Sequence, residues 1–591
     1  MTASNHYTSF IDEAFVHPIR SVLIVDDDYP TIDEMLDTEM ARAEGQEQAR
    51  SKEWYRDPGR IKSVLANLRD KSLLIDIHDG YNVSAGEDLK VAKHLHQSDL
   101  LVLDYQLDKS MQGDGTWAIE IIRTLARNNH FNMVVLHTSE SIDKVFRQIL
   151  IGLLTPMGES QTNEDAALAT ELIARREDTE EGAEARILAS IDLDQYIYVR
   201  AHPDSYFRVV RKGQAPFSNF HAECQAAGWD GVQERLVLYS LLASIEQKVK
   251  RDFSPVLFER LHWSSEGVHW IKSESLFIAF SNKADREDLV SELQAALYAW
   301  NPQPSRLLLA RIRAEMDELG VLAQTNALSN QHALAHWYKR LLTANGLERR
   351  WLIAEAVSRH SERLMGAVLQ PVQRFADRLI KAEAHGDAEE ICFNHFKVKL
   401  ADATTRSKAE HEHNAFVCSK EPEGWHLNTG HVFKAQDDYW VCLSPACDMV
   451  PAQLSKERRS MFGGRLPFIA VKLVPLREGK STPVDIQSNR YIFIQCENSV
   501  SSFCFNRPEG ENSSPDWQTL YADKLGEFRG DFEFDVFITK MGKTRLVSEK
   551  KHAKVVGQLR YEYALNLIHR LGASMTRVGL DFTGAPTPRK I

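Results

Sequence analysis

Two short apolar runs that each end in aspartate constrain this chain more than any other feature. Residues 21–25 are followed at once by Asp26–Asp28, and the run at residues 100–103 ends in Asp104. Continuous apolar runs are typical of strands buried on both faces, as in parallel sheets. Because the carboxyl ends of parallel strands meet at one edge of the sheet, we expect these carboxylates to converge there. Their mutual repulsion favours a bound cation, and ligands that are all oxygen suit Mg²⁺.

At these residues the chain resembles the receiver domain of bacterial response regulators. The resemblance implies that Asp26 and Asp27 bind the magnesium ion and that Asp104 accepts a phosphoryl group from a kinase histidine. It implies that Asp104 and the backbone carbonyl of Gln106 also bind the metal. It further implies that Thr138, which ends a third apolar run, hydrogen-bonds the phosphoryl oxygens.

The implied fold of the N-terminal part is a flavodoxin-like, doubly wound parallel sheet with two insertions, near residues 36–70 and 158–187. The lysine that the family keeps after its fifth strand has no clean counterpart. The strand that we predict at residues 196–199 runs into Arg200. Arg200 would stand in for the lysine, although a planar guanidinium is not equivalent to a compact ammonium.

The chain has 591 residues, which is too long for a single core. We predict a multi-domain protein that combines α/β, helical and antiparallel β parts. The last ordered element is predicted to be a helix over residues 553–575. The predicted divisions are an N-terminal arm (1–20), the receiver (21–212), a small α+β domain (213–300), a helical domain (301–415), a β-barrel or sandwich (416–550), and a C-terminal helix and tail (551–591).

Composition narrows the function classes. The net charge of -12 argues against a protein that coats nucleic acid. The seven cysteines are scattered and odd in number, as is usual for reduced cytosolic thiols. No apolar run is long enough to cross a bilayer, and the polar N-terminus is not a signal peptide. We therefore expect a cytoplasmic protein without a membrane partner. The apolar stripe of the helical region suits core packing or a homodimer seam.

The leading hypothesis is a response regulator that accepts phosphate from a partner histidine kinase. The opening run at residues 10–20 resembles receivers of bacterial phage-defence loci. In the Detocs type of these systems, a regulator without a recognised output is implied to buffer phosphate that would otherwise reach a second, effector-bearing regulator.

Two alternatives belong to other classes. The first is a pseudo-receiver that assembles protein partners without phosphorylation. The second is a regulator whose C-terminal half is an undetected enzyme, and a cavity lined by Cys447, Asp448 and a histidine would favour it. We find no recognisable effector active site, so enzymatic activity is not predicted.

Overall fold

The computed structural model describes residues 5–44, 58–78, 98–107, 115–127, 130–157, 162–255, 258, 260–284, 288–450, 453–476, 491–496, 499–506 and 514–576. The chain forms two compact units, residues 1–314 and 315–591. None of the helices within these ranges is both long and apolar enough to span a membrane.

The elements that begin in the first unit are α1 (Asn5–Ile11), a π-helical turn (Asp12–Val16), β1 (Ser21–Val25), α2 (Ile32–Ala43), α3 (Pro58–Asp70), β2 (Leu74–His78), β3 (Leu100–Asp104), α4 (Thr116–Ala126), β4 (Asn132–Thr138), α5 (Ile142–Leu153), α6 (Asn163–Thr179), α7 (Ala183–Ala189), α8 (Leu193–Ala201), α9 (Tyr206–Arg211), α10 (Ser218–Ala227), α11 (Gly231–Lys248), β5 (His262–Ser264), β6 (Trp270–Lys272), β7 (Leu276–Asn282), α12 (Leu289–Trp300) and α13 (Pro304–Leu328).

These strands form one sheet in the order β2-β1-β3-β4-β7-β6-β5. The pairings from β2 to β7 are all parallel, whereas β6 and β5 add to the sheet as an antiparallel hairpin. The parallel part has the strand order of a flavodoxin-like fold, 2-1-3-4-5, with β7 as the fifth strand. This agrees with the fold expected from the sequence.

The fifth parallel strand comes much later in the chain than we predicted. Between α5 and β7 lie residues 154–275, which we call the insert and which hold α6–α11 and the β5–β6 hairpin. The predicted receiver boundary at residue 212 is therefore wrong, because it falls inside the insert. Residues 213–300 do not form a separate domain, since β5, β6 and β7 belong to the same sheet.

The strand predicted at residues 196–199 is also wrong, because these residues lie in helix α8. The run of aromatic and β-branched residues suggested a strand. Asp192 starts a helix instead, since its side chain and that of Gln195 form a reciprocal capping box. Tyr196 and Val199 are then buried on one helical face.

The insert shares the core of the sheet. One cluster of buried side chains joins Leu103 and Leu136 of the strands to Ile173, Tyr196 and Leu241 of the insert helices. The acidic stretch near 158–187 forms α6 and α7, and α6 packs along α11. Near the other predicted insertion, α2 and α3 flank residues 45–57, which lie outside the described ranges. The insert is thus part of the domain and not an appendage.

The predicted N-terminal arm is a packed element. Phe10, Ile11 and Phe15 are buried, and the Tyr7 hydroxyl donates to the Pro302 carbonyl at 2.7 Å. The Tyr298 hydroxyl of α12 donates to the Asp12 carboxylate at 2.6 Å. These contacts fix the chain immediately before β1.

The remaining elements belong to the second unit and are α14 (Gln331–Thr343), α15 (Gly346–Glu383), α16 (Ala388–Phe396), α17 (Ala403–Cys418), β8 (Ser419–Lys420), β9 (His431–Ala435), β10 (Asp438–Cys442), α18 (Lys456–Met461), β11 (Leu466–Pro475), β12 (Tyr491–Cys496), β13 (Ser499–Cys504), β14 (Trp517–Ala522), a 3₁₀ turn (Asp523–Gly526), β15 (Glu533–Met541), β16 (Leu546–Leu559) and α19 (Tyr561–Met575).

The strands of the second unit close into an antiparallel barrel. Successive pairings run from β9 through β10, β11, β14, β15 and β16 back to β9. Its interior is filled by apolar side chains that include Phe433, Trp440, Phe468 and Phe534. Of the two β architectures expected from the sequence, the structure has the barrel.

The C-terminal helix begins later than predicted. Residues 553–559 belong to β16, where buried and less buried side chains alternate, and the helix begins at Tyr561. Alternation with a period of two is the pattern of a strand with one buried face. Leu567 and Leu571 of α19 pack with Val432 and Val441 of the barrel, so the docking of this helix on the barrel matches the expectation.

We predict that Arg200→Ala destabilises the first unit by about 1–3 kcal/mol, because it leaves partly buried acceptors without a charged donor. The Arg200 guanidinium donates to the Thr155 carbonyl at 2.5 Å and to the Tyr196 hydroxyl at 2.6 Å. Urea denaturation measures the loss. Arg208→Ala, at an exposed position of α9, is the matched control, and equal stability of the two variants would contradict a structural role for Arg200.

Candidate functional site

Three carboxylates meet at the carboxyl edge of the parallel sheet. Asp26 and Asp27 follow β1, and Asp104 ends β3. One oxygen of each lies within 4.8 Å of the others. Asp26 and Asp104 are buried, with 2% and 4% of their surfaces exposed. The structure thus brings together the three acids that the sequence singled out.

The strand register explains this convergence. β1 and β3 are parallel neighbours, and Val25 pairs with Leu103, so the residues that follow emerge side by side. The Asp26 amide donates to the His78 carbonyl of β2 at 3.1 Å, while its Oδ1 accepts the Asp28 amide at 2.9 Å. The second bond turns the chain away from the strand and leaves the carboxylate at the edge.

A lysine that sequence reasoning missed completes the cluster. Lys283 directly follows β7, and its Nζ lies 2.8 Å from Asp26 Oδ2 and 2.7 Å from Asp104 Oδ2. Its amide donates to the Thr138 carbonyl at 2.7 Å, which continues the pairing of β7 with β4. The available signal was the apolar run at residues 276–280, which lies in the stretch that we assigned to a separate α+β domain.

Arg200 does not take this position. It lies in α8 and donates to the Tyr196 hydroxyl and the Thr155 carbonyl. The cation that contacts the acids is Lys283, so the sequence-based choice of Arg200 is corrected. The reason is topological, because the strand that carries the cation returns to the sheet only after the insert.

Burial and charge together define the electrostatics of the site. Burial, followed by the nearby Asp26 carboxylate, raises the pKa of Asp104 to about 7, and Lys283 partly offsets this. Burial alone would lower the pKa of Lys283, but Asp26 and Asp104 outweigh it and raise that pKa, so the lysine stays charged. When all three carboxylates are ionised, they and the ammonium leave a formal charge of about -2, which a divalent cation would neutralise.

Thr138 and Gln106 flank the acids. Thr138 ends β4, is buried, and accepts the Glu140 amide through Oγ1 at 3.1 Å. A hydroxyl that accepts one hydrogen bond still has its own proton to donate. The Gln106 amide donates to Asp104 Oδ1 at 3.3 Å, which places the backbone of Gln106 beside the acceptor carboxylate.

The donor set fits magnesium. Carboxylate oxygens are hard ligands, and Mg²⁺ binds through a few carboxylates while it keeps several waters. Within the described ranges, this is the only group of three Asp, Glu, His or Cys side chains whose ligand atoms approach closely enough to share an ion.

In the described part of the second unit, the residues that would favour a C-terminal enzyme do not line one common cavity. A cavity of about 530 Å³ is lined by His426 and Cys447, and a second of about 260 Å³ by Cys447 and Asp448. His426 and Asp448 thus face different cavities. The Cys447 thiol lies 4.0 Å from Asp448 Oδ1.

Comparison with known proteins agrees with the geometry of the first unit. Residues 18–179 match the family model of a response receiver domain. No curated protein and no solved structure matches the chain. The matched range includes Asp26, Asp27, Asp104 and Thr138, whereas β7 and Lys283 lie beyond its end. The protein thus contains a receiver domain whose last parallel strand follows the matched range.

We predict that Lys283→Met destabilises the first unit by about 3–5 kcal/mol in EDTA, because it leaves buried carboxylates without their cation. The loss should be smaller with Mg²⁺, since a bound divalent ion replaces the missing positive charge. Urea denaturation in EDTA and in Mg²⁺ measures both effects.

Lys71→Met is the matched control for this experiment. Lys71 pairs with Asp288 at 2.9 Å, but both side chains are partly exposed, and such pairs contribute at most about 1 kcal/mol. Equal losses for the two variants, or no effect of Mg²⁺ on Lys283→Met, would contradict the electrostatic description of the site.

Proposed function

We propose that this protein is a response regulator that accepts a phosphoryl group on Asp104 from a partner histidine kinase, with Mg²⁺ as its cofactor. The observation that carries the proposal is that buried Asp104 contacts the Lys283 ammonium and has an oxygen within 4.8 Å of oxygens of Asp26 and Asp27. The receiver match of this part of the chain supports it.

In the proposed reaction an oxygen of Asp104 attacks phosphorus. The P–N bond of a phosphohistidine breaks as the P–O bond forms, and the leaving histidine nitrogen keeps the electron pair and takes up a proton from solvent. Asp26, Asp27, Asp104 and the Gln106 carbonyl would hold Mg²⁺, which neutralises charge on the phosphoryl oxygens.

Lys283 and Thr138 have separate tasks in this reaction. Lys283 already contacts Asp104 Oδ2, so its ammonium lies beside the carboxyl group that would receive the negatively charged phosphoryl group. Thr138 has a hydroxyl proton to donate to a phosphoryl oxygen. Fixed donors of this kind stabilise the developing charge without reorganisation.

Asp104→Asn should abolish incorporation of labelled phosphate from a small acyl phosphate or the cognate kinase, because an amide is not a nucleophile for this step. Asp178→Asn, at an exposed position of α6, should retain it. Label and protein mass are measured, and circular dichroism checks the fold. Label on the Asp104→Asn protein would exclude Asp104 as the acceptor and favour another site, whereas no label on the wild-type protein would favour the scaffold alternative.

The finer role that we propose is a cytoplasmic phosphate sink in a two-component phage-defence system of the Detocs type. In that role the protein drains phosphate from a histidine kinase that also serves a second, effector-bearing regulator. The resemblance of residues 10–20 to receivers of such loci supports the role. The seven cysteines all lie within the described ranges and none of them forms a disulfide, which suits a reducing compartment.

A competition experiment tests the sink role. When the kinase is mixed with the second regulator and an excess of this protein, label should reach the second regulator only after a delay that lengthens with the excess. The Asp104→Asn protein should give no delay, because it takes up no phosphate. Equal accumulation of label on the second regulator with both proteins would exclude a sink.

A further inference from the structure

Helix α5 contacts residues next to the candidate site and also contacts the insert. Seven of its twelve residues are buried, which is more than one apolar face of an amphipathic surface helix requires. It begins at Ile142, four residues after Thr138. A movement at the end of β4 would therefore displace the start of α5, which packs against the insert.

Two contacts connect α5 to residues next to the site. The Tyr105 hydroxyl donates to Gln148 Oε1 of α5 at 2.5 Å, and Tyr105 directly follows Asp104. The Phe280 ring, three residues before Lys283, packs edge-on against Phe146 of α5 with 5.5 Å between centroids. A third connection is the loop after β4, where Thr138 accepts the Glu140 amide.

The same helix also contacts the insert. The His269 ring packs against Phe146 at 5.1 Å between centroids, and its Nε2 lies 2.9 Å from Asp143 Oδ1. Arg147 pairs with Asp194 of α8 at 2.8 Å. Phe146 thus touches β7 on one side and the insert on the other.

We propose that the insert responds to the phosphorylation state of Asp104, and that α5 carries the response between them. The proposal rests on the proposed function of Asp104. A phosphoryl group adds negative charge and acceptor oxygens, which attract the Thr138 hydroxyl and the Lys283 ammonium. Both groups lie at strand ends whose neighbouring residues contact α5.

Because α5 and the insert helices are closely packed, we expect the insert to change between distinct arrangements. Close-packed interiors rearrange between alternative packings more readily than they deform continuously. The α5 side chains belong to the same buried cluster as Tyr196 and Leu241 of the insert. A shift of α5 therefore changes the side chains against which the insert helices pack. In this proposal the element that responds to phosphorylation of Asp104 is the insert of the same chain.

Amide hydrogen exchange of the full-length protein tests the proposal, with acetyl phosphate and Mg²⁺ as the phosphodonor mixture. Protection of α8 and of the β5–β6 hairpin should change at least about five-fold on phosphorylation, the lower end of typical coupling between sites. The Asp104→Asn protein in the same mixture is the reference, and incorporation is measured on every sample.

A double variant, Arg147→Ala with His269→Ala, removes α5–insert contacts without touching the site. It should take up phosphate to the same extent, but the exchange difference in α8 and the hairpin should fall below two-fold. Arg175→Ala, which removes an exposed ion pair with Glu171 on α6, is the control that keeps the full difference. If the double variant fails to fold, Arg147→Ala alone should reduce the difference.

The outcomes separate this inference from the proposed function. Full incorporation with no exchange difference in α8 or the hairpin overturns the inference alone. An unchanged difference in the folded double variant, or in Arg147→Ala where only that variant folds, overturns the role of α5. No incorporation into the wild-type protein overturns the proposed function, and the inference with it.

Discussion

The contact of the Lys283 ammonium with the Asp26 and Asp104 carboxylates is the interaction on which the first unit depends. Asp26 and Asp104 are almost fully buried, and buried charges are tolerated only when they are paired. Lys283 supplies that pairing at 2.8 Å and 2.7 Å. It also connects β1, β3 and β7 at the edge where a phosphoryl group would be bound, so the group that pairs the buried acids also lies beside the proposed acceptor.

The insert is compatible with this arrangement because of how parallel strands are connected. A crossover between parallel strands already needs a dozen or more residues, and the entropy of closing a loop grows only slowly with its length. The insert also buries its own apolar side chains in the core of the sheet. The long connection before β7 therefore adds little to the entropy cost of folding, and the helices of the insert add apolar side chains to the buried cluster.

The sequence was most informative where apolar runs end in polar residues. β1, β3 and β4 and the positions of Asp26, Asp27 and Asp104 follow from that pattern, because strand ends of a parallel sheet share an edge. The identity of the fifth strand could not be read in this way. The local sequence does not indicate the length of a crossover between parallel strands. The run at residues 196–199 is typical of a strand until the helix cap at Asp192 is considered. Lys283 was missed for this reason.

The ion pair between Lys283 and Asp26 spans 257 positions of the sequence, and this separation bears on how the domain is made. A nascent chain that has emerged only as far as the end of the matched receiver region, residue 179, contains the acids but neither β7 nor their cation. Folding dominated by such distant contacts is slow, and incomplete sheets expose unpaired strand edges during synthesis. The acids of this receiver can therefore pair with Lys283 only after translation has passed the insert.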